Sequence, residues 1–408
     1  MILLPNESSS FKSFPIDLFI EAWRNRIDEN TMEFLLESDF VFLNHGSFGA
    51  CPQKVHQEYQ RIQLQLESQP VRFMQQELQP LLTAARGALA DFVGADHDEL
   101  VFVSNPTYAV NEIARSLQLD PGDEVLVSDQ EYGACHNAWR FMSQKRGFSI
   151  VEQSIVLPVA SNEEIVDQFW EGITDQTRVV FLSHITSPTA LTIPVAEICR
   201  RARERRIITV IDGAHAPGQI DIDLKEVGAD FYTGTCHKWL SAPKGAAFLY
   251  ARREIQPQIE PLIVGWGWGT EQRTVNSGND FADYHEWLGT NDPSAYLTVP
   301  KAIEFQRQNS WNSVRQRCHQ LAIQAVDIAS QTPGLARVHS NEFFQQMALI
   351  EVTQKLDDPD RLKRQLFEMK IEVPIIRWKD RVFVRVSIAA YNTLADVQQL
   401  LKALEKLI

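Results

Sequence analysis

The stretch IITVIDGAHAPGQIDIDLKEVGADFYTGTCHKWLSAPKGAAFLYAR, residues 207–252, decides the fold. It contains three short apolar, β-rich runs: IITVIDGA (207–214), FYTGTCH (231–237) and GAAFLYAR (245–252). Their core positions are apolar in succession rather than in alternation, so both faces of each strand are covered, as in a parallel sheet between helices. The rhythm continues outward. ELVFVSN (99–105), EVLVSD (124–129) and TRVVFLSHI (177–185) read as strands, while AVNEIARSL (109–117) and VAEICRRARER (195–205) read as helices. Strands alternating with helices predict βαβ units and an α/β class.

Further upstream, VFLNHGSFGACP (41–52) reads as a short strand and a Gly/Ser/Pro turn, after an irregular or helical lead-in over 10–40. Helices are predicted over about 53–68 and 77–94, the second closing on Gly94 as its C-cap. Beyond 300 the character changes. Helical segments at about 297–331 and 358–369 surround strand-like QMALIEV (346–352) and VFVRVSI (382–388), and the helical LADVQQLLKALEKLI closes the chain. The expected division is a large α/β domain over 75–300 and a smaller α+β domain built from 1–74 plus 301–408.

The 408 residues allow two or three domains, and 44% hydrophobic with 23% charged residues is ordinary globular composition. A net charge of −14 argues against nucleic-acid or anionic-membrane partners, so an anionic ligand needs a local positive pocket. No apolar run reaches the ~20 residues of a membrane span. The opening MILLPNESSSFKSFPI lacks the layout of a signal peptide. The five cysteines are scattered without a CxxC pair, which suits a reducing cytoplasm and argues against a disulfide framework or a metal site.

In an open α/β sheet, ligands bind at the carboxyl ends of the strands. Four predicted strand ends carry polar groups: SNPTYAVN (104–111), SDQEYGACHN (128–137), IDGAH (211–215) and TGTCHK (233–238). Asp212 ends an apolar run, where a carboxylate needs a partner; alone, it reads equally as a buried acceptor or a cap. Lys238 runs straight into apolar, Gly-rich sequence, unlike a solvated lysine. Pro106–Thr107 stand just before a helix, whose free N–H groups at its start suit a phosphate, although ordinary Ser/Thr capping would explain them alone. Together these groups call for a ligand with a phosphate, a basic aromatic nitrogen and an aldehyde: pyridoxal 5′-phosphate.

On these residues the chain resembles the class V aminotransferase family of fold-type I pyridoxal-phosphate enzymes, in its isopenicillin-N-epimerase-like branch. The resemblance covers about 40–400 and rests on LNHGSFGACP (43–52), QPVRFM (69–74), DQEYGACHNAWR (129–140), SHITSPTALTIPV (183–195), DGAHAPGQIDIDL (212–224), GTCHKWLSAPKGAAFLY (234–250) and EWLGTNDPSAYLTVPKAI (286–303). It implies a mostly parallel seven-stranded sheet in the large domain. It implies Lys238 as the residue holding the cofactor as a Schiff base, Asp212 on the pyridinium nitrogen with a depressed pKa, and His215 near the ring oxygen or the lysine. His184 falls near the ring hydroxyl and Tyr132 on the ring face. Thr107, the Tyr108 backbone, Thr235 and His237 match the phosphate cup. Gly289–Thr290 would reach that phosphate from a neighbouring subunit, which implies a homodimer.

The same resemblance implies Arg385 on the substrate α-carboxylate, Asn44 and His45 at the substrate mouth, and Arg72 near a distal anion. The implied reaction acts on an amino acid through an external aldimine, with Lys238 removing the Cα proton. Epimerisation, C–S lyase chemistry (β-elimination) and transamination all remain open after that step. Epimerisation needs an acid opposite Lys238, for which Tyr132, His136 or His45 could serve. Cysteine desulfurases of the family place a nucleophilic cysteine shortly before the carboxylate-binding arginine; here 319–408 holds none. Cys236 reads as packing. A cofactor-free binding protein on the same fold is the reading outside enzymes.

Overall fold

The computed structural model describes residues 33–269 and 275–408. In chain order its strands are β1 (Val41–Phe42), β2 (Leu100–Val103), β3 (Glu124–Ser128), β4 (Ser149–Gln153), β5 (Thr177–Ser183), β6 (Ile208–Asp212), β7 (Phe231–Thr235), β8 (Ala247–Ala251), β9 (Leu335–Arg337), β10 (Met347–Val352), β11 (Ile371–Glu372), β12 (Ile375–Trp378) and β13 (Arg381–Ser387).

Strands β2 to β8 form one seven-stranded sheet in the order β2-β8-β7-β6-β5-β3-β4. Strand β8 is antiparallel to both of its neighbours, and every other pairing is parallel. The carboxyl ends of β3, β5, β6 and β7 therefore share one edge. The continuous apolar runs are buried along their whole length in β2, β7 and β8. Strand β4 was not anticipated. It is one of the sheet's two edge strands, its Ser149 and Glu152 exposed and its Ile150 and Val151 half-buried, so it carries no apolar run of the kind that marks β2 and β8.

The helix predicted from 109 starts earlier, at Pro106. Proline is preorganised for a first helical position, and the Asn105 side chain caps the helix by accepting the Tyr108 N–H at 2.9 Å. The Leu78–Val93 helix ends on Gly94 in the left-handed region, as expected. The segment predicted over 297–331 breaks into Val299–Gln308 and Trp311–Ala329 at Ser310, which has φ 48°.

The C-terminal part carries a four-stranded antiparallel sheet, β12-β13-β10-β9. The N-terminal segment returns to it. Strand β1 pairs with β11, and Asn44 bridges to Ser387 in β13. Val41 and Leu43 share an apolar cluster with Val384, Val386 and Leu400. The large sheet is packed on both faces: Leu100, Phe102 and Tyr232 meet Leu82 and Leu89 on one, and Val101, Val127 and Phe231 meet Ile113 and Trp139 on the other.

Candidate active site

Parallel pairing of β6 with β7 sets Asp212 opposite Thr233, so the turns after the two strands lie side by side. Asp212 is 3% exposed. Its Oδ1 accepts the Ala214 N–H at 2.9 Å, and the Cys135 thiol, 3.5 Å away, donates to Oδ2. Burial pushes the Asp212 carboxyl up, and the Ala214 N–H and the Lys238 charge pull only partly against it. The depression expected for Asp212 belongs to an ion pair with a ring cation. The protein's own groups produce the opposite sign because desolvation outweighs them.

Lys238 is half-buried, with Nζ 3.3 Å from His215 Nε2. Withdrawal from water pushes its ammonium down to about 8, Arg385 acts in the same direction, and Asp212 pulls against both. Lysine and aspartate thus sense each other across one site. At neutral pH roughly a tenth of such a lysine is free amine. Burial also holds the His215 ring well below its ordinary range, and its Nδ1 accepts the Trp239 indole N–H at 3.3 Å.

The turn HGSFG (45–49) folds onto the Lys238 backbone. His45 Nε2–H donates to the Lys238 carbonyl at 2.9 Å, and His45 Nδ1 accepts from the Tyr391 hydroxyl at 3.0 Å. Burial lowers this ring to about 3. Gly49 permits the approach: with φ +69°, a Cβ there would stand 2.0 Å from the His237 carbonyl oxygen. Both nitrogens of His45 are therefore engaged by the protein, and the residue placed at the substrate mouth holds the lysine's backbone instead.

Arg385 is 3% exposed and makes no ion pair among the described residues. Its Nη1 donates to the Ser187 carbonyl at 2.5 Å and to Ser187 Oγ at 3.2 Å, and its Nη2 donates to Ser47 Oγ at 3.4 Å. Its Nε has no partner. Burial lowers the guanidinium to about 10, so it stays charged at neutral pH. A buried cation held only by neutral oxygens awaits an anion, and a planar carboxylate matches its fork. Ser47 in turn donates to Asn44 Oδ1 at 2.5 Å, and Asn44 Nδ2 donates to Glu372 Oε1 at 3.1 Å. Asn44 thus steadies the arginine through Ser47.

The remaining predicted residues separate. Thr107 and Tyr108 lie in the first turn of the Pro106–Ser116 helix, but the Tyr108 N–H assigned to a phosphate is taken by Asn105. Thr235 Oγ1 donates to the Ala214 carbonyl at 2.5 Å. His237 Nδ1–H donates to the Ala246 carbonyl at 3.2 Å, Nε2 has no hydrogen-bond partner among the described residues, and burial holds the ring near 4. His184 follows β5, with Nδ1 2.9 Å from the Tyr232 hydroxyl. Tyr132 precedes the Gly133–Arg146 helix and is 49% exposed. His136 lies 3.9 Å from Glu152. Thr290 is exposed in the turn after the Asp280–Glu286 helix, with no hydrogen bond to the Lys238 cluster. Arg72 pairs with Glu77 on the surface.

Several members were not singled out in the sequence. Glu131 lies within SDQEYG and accepts from Ser128 at 2.5 Å and Ser183 at 2.6 Å; burial lifts its carboxyl to about 7. Ser47, Ser187, Cys135 and Trp239 carry no signal of their own, because each acts through a neighbour brought up by the fold. Among the described residues no side-chain cluster could hold a metal ion, and no helix is long and apolar enough to cross a membrane.

A half-buried lysine of lowered basicity and a buried aspartate at the carboxyl edge of a mostly parallel sheet suit an α/β enzyme with an aldehyde cofactor. Comparison with known proteins refines this. The model of the family described as "Aminotransferase class-V" matches residues 42–400. An isopenicillin N epimerase from Amycolatopsis lactamdurans is 32% identical, covering 95% of this chain and 98% of that protein. A probable chloroplastic L-cysteine desulfhydrase from Arabidopsis thaliana is 29% identical, covering 91% and 84%. A cystine C–S lyase solved with its product cysteine persulfide superposes with a TM-score of 0.79 at 21% identity, covering 90% of this chain and 98% of that one. The chain belongs to the class V aminotransferase family. It is an enzyme of that family, and its cofactor is pyridoxal 5′-phosphate. The residues present fit that group, with an amine of lowered basicity for its aldehyde, a buried carboxylate within electrostatic reach, and an unpaired guanidinium for the substrate.

Proposed function

We propose that this enzyme removes the Cα proton of a sulfur-bearing α-amino acid and expels the β-sulfur group. The observation that carries the reading is the distribution of proton-carrying groups. Lys238 is an amine of lowered basicity in the site, whereas both nitrogens of His45, a candidate second acid, are engaged. β-Elimination needs one base and a leaving group, which makes it the lighter demand.

In this reading Lys238 holds the cofactor, with Asp212 keeping a proton on the ring nitrogen. Tyr132 would cover the ring face, His184 and His215 would serve its oxygen, and Thr107, Thr235 and His237 Nε2 would serve the phosphate. When bound, the cofactor supplies an electron sink conjugated to the substrate Cα. Arg385 grips the substrate carboxylate, steadied by Ser187 and by Ser47 with Asn44. With its amine freed by the incoming substrate amino group, Lys238 Nζ would take the Cα proton, a Cα–Cβ double bond would form as the Cβ–S bond breaks, and the sulfur would leave with the electron pair. Lys238 can then return its proton to that sulfur. Water hydrolyses the three-carbon product to pyruvate and ammonium.

The five cysteines are all buried, so elimination is favoured over a persulfide relay on a protein thiol. Buried free thiols also suit a cytoplasmic setting. A homodimer in which Thr290 reaches the partner's phosphate site fits its exposure, and the division into 75–300 and 1–74 plus 301–408 remains part of the proposal. The second reading is epimerisation, favoured by the 32% identity to the epimerase and by the exposed Tyr132 hydroxyl as the opposing acid. Incubation with cysteine or cystine tests the choice. Stoichiometric pyruvate is expected. Exchange of the Cα hydrogen with solvent and loss of optical activity without pyruvate would overturn elimination.

A further inference from the structure

The Lys238 side chain meets a histidine whose protonation pattern is set from behind. Trp239 Nε1–H can only donate, and it donates to His215 Nδ1 at 3.3 Å. A neutral imidazole that accepts at Nδ1 carries its proton on Nε2, and that nitrogen stands 3.3 Å from Lys238 Nζ. The Nε2–H therefore points at the lysine nitrogen. A free amine can accept it through its lone pair, whereas an ammonium has only hydrogens to offer. Trp239 is itself fixed. It is buried, its carbonyl accepts from Gln306 Nε2 at 2.8 Å, and the His215 carbonyl accepts from Gln219 Nε2 at 2.7 Å. Gln219 Oε1 in turn accepts from the Gln346 N–H at 3.1 Å, which ties the arrangement to the small sheet.

We propose that Trp239 is a positioning residue that locks His215 in the Nε2–H tautomer, so that the histidine favours Lys238 as a free amine over the ammonium. The inference rests on Lys238 being the cofactor lysine. It adds a reason, beyond desolvation, why that amine is ready to condense with an aldehyde and why it sheds an acquired proton. The titratable and charged groups facing Lys238 are Asp212, Cys135, Arg385, His215 and His237. Of these, Asp212 and, after it, Cys135 favour the ammonium, so a histidine able to accept from the lysine would add a further such influence.

The test uses the full-length protein freed of cofactor and follows, against pH, the rate at which added pyridoxal phosphate develops a borohydride-sensitive visible band. In the parent the rate rises through a midpoint near 8. Trp239→Phe releases Nδ1, lets His215 turn its lone pair toward the ammonium, and is expected to move the midpoint up by about one unit, a tenfold slower reaction below both midpoints. In a His215→Gln background the same change is expected to move nothing further. An unmoved midpoint in Trp239→Phe, or an equal shift with and without His215, overturns the proposal. Should Trp239→Phe not fold, the ¹⁵N resonances of His215 in the parent decide: a bare Nδ1 and a protonated Nε2 are expected, and the reverse overturns it. If Lys238→Ala still develops the band, the lysine assignment fails instead, an outcome distinct from either tryptophan result.

Discussion

Two groups of ionisable side chains are withdrawn from water in this protein, and they are handled differently. Against β2, Arg86 pairs with Glu286 at 2.5 Å, Glu286 also accepts the Phe102 N–H at 3.0 Å, and His285 meets Glu112 at 2.8 Å. Each charge there has an opposite or potentially opposite partner within the chain. Around the carboxyl edge of β6 and β7, Arg385 of β13 has no anion among the described residues, Lys238 faces a histidine, and Asp212 receives a thiol and one N–H. Burial alone therefore does not mark a site. The first group is closed on itself and the second is left open to a ligand, which is what perturbed groups in a functional site require.

Four substitutions or conditions would break or sharpen this contrast. The largest effect belongs to Lys238→Ala, which is expected to abolish the visible band and lower product formation at least ~10⁴-fold, the upper end for a positioned base, with thermal stability nearly intact. Arg86→Met in the closed group is expected to do the reverse. It strands Glu286 and costs about 3–5 kcal/mol of stability in thermal unfolding, with turnover per folded molecule unchanged. Comparable loss of turnover from both variants would erase the distinction. Arg385→Lys comes third. Loss of the planar fork is expected to raise KM for the amino acid roughly tenfold to a hundredfold, with a smaller change in kcat.

The smallest effect is a pH dependence of stability. His45, His184, His237 and His339 are held near 3, 4, 4 and 4 by burial, against 6.5 in the unfolded chain. The unfolded state then binds more protons below 6.5, so their contribution is whole above that pH and is lost as pH falls toward 4. Glu131, raised to about 7, acts oppositely: its share is present at low pH and is lost as pH rises through 7. The four histidines outweigh it, so the unfolding temperature is expected to fall between pH 6.5 and 4.5. A temperature that rises over that interval would contradict the placement of these rings.

The parallel sheet was legible because β5 to β7 are short β-rich runs that alternate with helices, and their polar ends announced where a ligand sits. Asp212 and Lys238 could be read because each follows such a run, whereas Arg385 was reached only through the family resemblance. Strand β4 was not legible, since an edge strand with exposed Ser149 and Glu152 carries no apolar run. The engagement of His45 by Tyr391, 346 residues away, was equally invisible, as was Trp239's hold on His215. Side-chain partners drawn from distant segments follow from the fold, and local patterns do not encode them. The start of the Pro106 helix is a further case: ordinary Ser/Thr capping was the local reading there, and the residue that caps the Tyr108 N–H is Asn105.

The account rests on the lysine at the end of β7. Borohydride reduction of the cofactor-loaded protein, followed by peptide mapping, should place the pyridoxyl group on Lys238. Attachment at Lys244, the other lysine of HKWLSAPK, or reduction that leaves every lysine of the chain unmodified, would contradict it.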